Sequence, residues 1–376
     1  RLASGGPFQD DSGWNLEKYY ATIHSADING DGVDELLGRG ADGMEAWRFN
    51  GFGWDRLAVN GPFPVNEDDW DQKEYYATIH SADINGDGKA ELLARAPSGM
   101  EAWRFFDGAT LEERGWGEAP IASGGPFKDA SNWHYPEFYA TIHSADIDKD
   151  GRAELLGRRN DGMVAYDFNG SDWVWLAGPG PFKDESNWHY PEFYATIHSA
   201  DIDKDGKAEL LGRRNDGMVA YDFNGTGWDQ LAGDGPVKDA HCWNFAKYYA
   251  TIHSADIDGD GKAELLGRGE DGMEAWRFNG TDWGEDPLAW GGPFAWAPRG
   301  GNYGGYFYST GSLPSSIDNA YPRWMAEIPD DRRLSELSLP GTHDSGATHP
   351  FYLMTDLPHW YWLPVTQSMS LSSQLK

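Results

Sequence analysis

The segment Tyr194-Ala-Thr-Ile-His-Ser-Ala-Asp-Ile-Asp-Lys-Asp-Gly-Lys-Ala-Glu-Leu-Leu-Gly212 decides the reading of this chain, because it is written five times with small changes. The first aspartate of each copy falls at Asp27, Asp83, Asp146, Asp201 and Asp256, in steps of 56, 63, 55 and 55 residues. A period of this size means an array of like supersecondary units, each too small to bury its apolar face alone. Every copy holds an acidic turn of the form D-x-[DN]-x-D-G-x-x-E between two short apolar runs.

One unit runs from Phe182 to Gly235. Its lead, Lys183-Asp-Glu-Ser-Asn-Trp-His-Tyr-Pro191, is too rich in turn formers for a regular strand. A strand is predicted over Ala195–Ala200, then the acidic turn, then a second strand from Glu209 and a tight turn at Arg214–Gly217. Met218–Phe223 alternates with period two, Asn224-Gly225 is a hairpin turn, and Trp228–Ala232 closes the unit. Helical periodicity is absent. Four short strands in about 50 residues predict an all-β fold, a β-propeller of four-stranded blades over 1–294.

Units three and four are nearly identical (Pro126–Gly170 and Pro181–Gly225), whereas unit two carries an insertion around Phe106–Arg114. Arg1–Phe8 matches the tail of a unit, as in Pro120–Phe127, so the chain opens in mid-pattern and reads as a processed or truncated product. A ring of five blades with that remnant as an extra outer strand, and a larger ring, both fit.

In the turn Asp201-Ile-Asp-Lys-Asp-Gly-Lys-Ala-Glu209, positions one, three and five offer side-chain oxygens, Gly206 permits the bend, and Glu209 closes the shell. Hard oxygens in flexible number suit Ca²⁺ better than Mg²⁺. The expected ligands are Asp27, Asn29, Asp31 and Glu35; Asp83, Asn85, Asp87 and Glu91; Asp146, Asp148, Asp150 and Glu154; Asp201, Asp203, Asp205 and Glu209; and Asp256, Asp258, Asp260 and Glu264. About one ion per repeat is expected. The competing reading is an acidic Asx-turn without metal. Flanking strands exclude the helix-loop-helix calcium hand.

These loops resemble the calcium turns of FG-GAP/VCBS propellers. More weakly, the run from Trp188 to Gly212 is similar to the repeats of fungal and bacterial propeller lectins. That likeness implies sugar sites between blades, with Trp14, Trp70, Trp133, Trp188 and Trp243 as stacking candidates; the alternative is that they pack between blades as core. His24, His80, His143, His198 and His253 recur on the first strand and read as a structural hydrogen-bonded feature. The sequons at Asn169, Asn224 and Asn279 share one hairpin position, where turn chemistry is the stronger reading.

The net charge of −31 repels nucleic acid and anionic membranes and favours cations. No apolar run approaches the roughly 18 residues of a membrane-spanning helix. One cysteine, Cys242, excludes an intrachain disulfide framework. Weak calcium sites are saturated outside the cell, so a secreted, extracellular protein is expected.

After Phe294 the pattern stops. Residues 295–317 read as a Gly/Tyr/Ser-rich linker, and a different module occupies 318–376. Its motifs are Trp324-Met-Ala-Glu-Ile-Pro-Asp330, Leu337-Ser-Leu-Pro-Gly-Thr-His-Asp-Ser345 and Thr366–Leu375. They resemble the opening of the X-type domain of phosphatidylinositol-specific phospholipase C. The resemblance implies an incomplete segment of a TIM-barrel-like domain, cut short before the family's second histidine, and phosphoinositide or glycosyl-phosphatidylinositol substrates. It makes His343 the base for the inositol 2-hydroxyl and puts Asp344 in the polar network around it. The expected function is a binding or targeting module for such a phosphodiesterase; the alternative is a lectin or adhesion propeller without enzymatic activity.

Overall fold

The computed structural model describes residues 5–65, 69–108, 114–284 and 287–289. The linker, the 318–376 module and its residues His343 and Asp344 lie outside the described residues.

Blade four shows how the repeat folds. Its strands are His198–Ala200, Glu209–Arg214, Gly217–Phe223 and Trp228–Ala232, paired antiparallel in sequence order. Ser199 pairs with Leu210 and Leu210 with Tyr221; a bulge between Ala220 and Tyr221 lets Leu231 slip out of register. Blades one and three repeat this sheet with the same bulge. In blade two the last hairpin is a separate pair, Phe105–Phe106 against Gly115–Trp116. Blade five has three strands, and bridges at Phe278–Trp283 and Ala275–Ala289 mark its fourth. The fold is all-β, a five-bladed propeller.

Two local details differ from the sequence expectation. The lead contains a 3-10 turn (Asp184–Ser186) and one turn of helix (Pro191–Tyr194), and the first strand shrinks to His198–Ala200. Pro191 fixes φ at the first helical position, where a missing N–H costs nothing. Buried Thr196 then donates to Phe193 O at 2.7 Å and accepts from Arg213 N at 2.9 Å, tying the turn to the second strand. A single turn is too short to leave a 3.6-residue period in the sequence.

The hydrophobic clusters are the interfaces between blades. Ile147, Leu156 and Met163 of blade three meet Phe182, Trp188 and Leu210 of blade four. Because the blade-four sheet is covered on both faces, by blades three and five, its strand Glu209–Arg214 is buried almost throughout. The close approach needs glycine: a Cβ on Gly212 would lie 2.7 Å from the Trp188 ring. Ile28, Ile84, Ile147 and Ile202 are at most 1% exposed under the following blade, while Ile257 of blade five is 48% exposed.

Candidate functional site

Antiparallel pairing puts the loops of each blade at alternate ends. The acidic turns share one end with the Asn-Gly hairpins, and the lead segments share the other with the Arg214–Gly217 type of turn.

At the acidic end the carboxylates organise their own loop. Asp201 accepts from Lys204 N at 2.6 Å and Gly206 N at 3.0 Å, Asp203 from Asp205 N at 2.9 Å, and Asp205 from Lys207 N at 2.8 Å. Gly206 adopts φ +91°, which a side chain would strain. Glu209 is fully buried; its Oε2 accepts from Ile202 N at 2.9 Å, while Oε1 has no partner. Glu154 has the same arrangement in blade three. Oxygens of Asp146, Asp148 and Glu154 converge within 4.8 Å of one another, as do those of Asp201, Asp203 and Glu209 and those of Asp256, Asp258 and Asp260. Burial pushes Glu154 and Glu209 up to about 8, and the nearby aspartates add to the rise.

The other blades differ. In blade one, Arg48 Nη2 lies 2.7 Å from Glu35 and 2.9 Å from Asp31, and Asn29 also donates to Glu35. In blade two, Arg104 lies 3.2 Å from Glu91 and 3.8 Å from Asp87, and Asn85 donates to Glu91. In blade five, Arg277 lies 2.9 Å from Glu264 and 3.8 Å from Asp260 and bonds Asp258. Asp27 and Asp83 hold their loops through backbone N–H groups, as Asp201 does.

At the lead end, Trp14, Trp70, Trp133, Trp188 and Trp243 are all buried, at 2 to 7% exposure. Trp188 packs beneath Phe182 at 4.2 Å and against Gly212, so these rings belong to the core and offer no open face for a sugar. Exposed aromatic surface lies two residues on: Tyr135 and Tyr190 are each 46% exposed, and Phe245 is 53% exposed. Tyr135 borders a cleft of about 470 Å³ lined also by Lys128, Asn132, Glu137, Arg159 and Asn160. Blade four repeats all of these residues as Tyr190, Lys183, Asn187, Glu192, Arg214 and Asn215. His134 and His189 sit 4.3 Å from their neighbouring tyrosine rings.

Sequence reading missed the clamp below this surface. Arg95, Arg158 and Arg213 are fully buried, and each reaches the lead of the next blade, at Asp129, Asp184 and Asp239. Burial lowers the affinity of each guanidinium for its proton, and the carboxylate opposes this for Arg95 and Arg158. The signal was present as an arginine after each E-L-L-[GA] and an aspartate in the following lead.

Along the axis the histidines form a relay. Each Nδ1–H donates to a threonine carbonyl at 2.8 Å, as His143 does to Thr141. Nε2 of His24, His80, His143 and His198 accepts from a serine of the next blade at 2.8 to 2.9 Å. Burial lowers His80, His143 and His198 to about 4, so they are neutral and structural.

An FG-GAP repeat matches residues 75–110. The fold is similar to that of a lectin from Agrocybe aegerita that recognises non-reducing terminal N-acetylglucosamine, at 20% identity and TM-score 0.55, covering 70% of this chain and 65% of that one. The match thus spans less than two thirds of the lectin. It is also similar to part of the Tc holotoxin pore of Photorhabdus luminescens, at 16% identity and TM-score 0.44, covering 71% of this chain and 12% of that one. Comparison with curated proteins gives no match. Among the described residues no helix is long and apolar enough to cross a membrane.

Proposed function

We propose that the propeller is a secreted glycan-binding module whose acidic end holds Ca²⁺ and whose lead end meets the sugar. The observation that carries the sugar reading is the cleft at Tyr135, in which a half-exposed tyrosine stands beside carboxylate, guanidinium and amide groups whose counterparts recur in the sequence of blade four. An aromatic face covers the C–H face of a sugar, and the polar groups satisfy its hydroxyls. The lectin of the same fold supports this class of ligand.

The test is a glycan array with the full chain, beginning with terminal N-acetylglucosamine. Tyr135→Ala combined with Tyr190→Ala should weaken binding at least about tenfold, a loss of roughly 1.4 kcal/mol. A blank array with folded protein would remove the reading. Trp188→Ala tests the buried ring separately and should reduce stability more than affinity.

The fit of calcium rests on Glu154 and Glu209, each of which keeps one buried oxygen, Oε1, without a partner while aspartate oxygens converge on the same corner. Asp146, Asp148 and Asp150 with Glu154, and Asp201, Asp203 and Asp205 with Glu209, would hold the ions. Bound calcium would neutralise the clustered charge and fix each loop against its strands.

A second reading concerns the module at 318–376, whose motifs favour attachment of the propeller to a phosphatidylinositol-type phosphodiesterase. In that reading His343 takes the 2-hydroxyl proton. The parent polypeptide should then cleave phosphatidylinositol vesicles, and His343→Ala should abolish the cleavage; unchanged turnover would end it.

A further inference from the structure

We infer that the five acidic corners are of two kinds, and that only those of blades three and four take a divalent ion, because in blades one, two and five an arginine of the same blade fills the cation's place. This rests on the calcium reading and refines its expectation of one ion per repeat.

One strand position decides the kind. It holds Arg48, Arg104 and Arg277 in blades one, two and five, and Asp167 and Asp222 in blades three and four. All five closing glutamates are buried, at 0 to 1% exposure. A buried carboxylate needs a partner, or it costs several kcal/mol of desolvation. Glu35 and Glu91 receive an arginine and an asparagine on Oε1, and Glu264 receives an arginine.

Blades three and four lose both donors together. Position three becomes Asp148 or Asp203, which cannot donate, and the arginine becomes a further carboxylate. The oxygens of Asp150, Glu154 and Asp167 consequently fall within 4.8 Å of one another. The cations that remain nearby do not fill the gap. Arg152 pairs with Asp150 and lies 3.5 Å from Asp167; Lys207 lies 3.4 Å from Asp205 and 2.9 Å from Asp222. Neither satisfies the glutamate, whose Oε1 stays buried and unpartnered in both blades. A small divalent ion would supply what a guanidinium supplies elsewhere.

The experiment measures bound calcium per chain by equilibrium dialysis of the full chain at millimolar Ca²⁺, followed by elemental analysis. Two ions are expected. Asp167→Arg and Asp222→Arg each import the arrangement of a sister blade, which favours folding, and each should lower the count by one. Arg48→Asp with Asn29→Asp should raise it to three. Five ions in the unaltered chain, or a count unmoved by Asp167→Arg, would overturn the two-class assignment while leaving calcium binding intact. No bound ion in a folded chain would overturn both.

Discussion

The corners of blade one and blade three start from almost the same loop and surround the closing glutamate with different groups. Both bend on a glycine at positive φ, and both bury the closing glutamate completely. Blade one meets Glu35 with Arg48; blade three sets Asp167 at that position and leaves one oxygen of Glu154 bare. The buried carboxylate shared by all repeats is thus met in blade one by an ion pair with a residue of the strand, and in blade three, on the proposal above, by a cation from solution. Only the second arrangement would make stability depend on calcium.

The comparison breaks first under chelation. With two sites at about a hundredfold excess of calcium over Kd, each contributes about 2.7 kcal/mol by mass action. Chelation should lower stability by roughly 5 kcal/mol and Tm by about 10 °C. A calorimetric scan with an unchanged transition would remove the metal from blades three and four.

Next in size, Arg48→Ala should cost about 3 kcal/mol by leaving the buried Glu35 without its counter-charge. Asp167→Ala, measured in chelator, should cost under about 1 kcal/mol, because it removes a repelling charge. Denaturant midpoints of the two variants check this; equal losses would erase the distinction between the corners.

The smallest effect is one the two kinds of blade should share. Folding lowers His80 in blade two and His143 in blade three to about 4 from 6.5. Between those values the unfolded chain binds the proton and the native chain does not, so stability is present in full above about 6.5 and falls with pH. His80→Gln and His143→Gln should each reduce that acid slope by about 1.4 kcal/mol per pH unit. Slopes that differ between the two variants would mean that the corner chemistry reaches the axis.

Part of the lead end was also open to sequence reading, which offered the recurring tryptophans either as stacking candidates or as core. Recurrence picked out the tryptophans, and recurrence marks burial as readily as binding: Trp188 lies under Phe182, while Tyr190 carries the exposed ring. The unit length, the turn chemistry and the oxygen-rich loops depend on residues adjacent in the chain, and for that reason the strand pattern, the five repeats and the candidate ligands could be read in order along it, while the number of blades in the ring could not. Which glutamate lacks a partner, which arginine reaches the next blade and which ring stays uncovered depend on side chains 13 to 34 residues apart meeting across strands and blades. Those distances are set only when the sheets stack, so tertiary structure alone decided them.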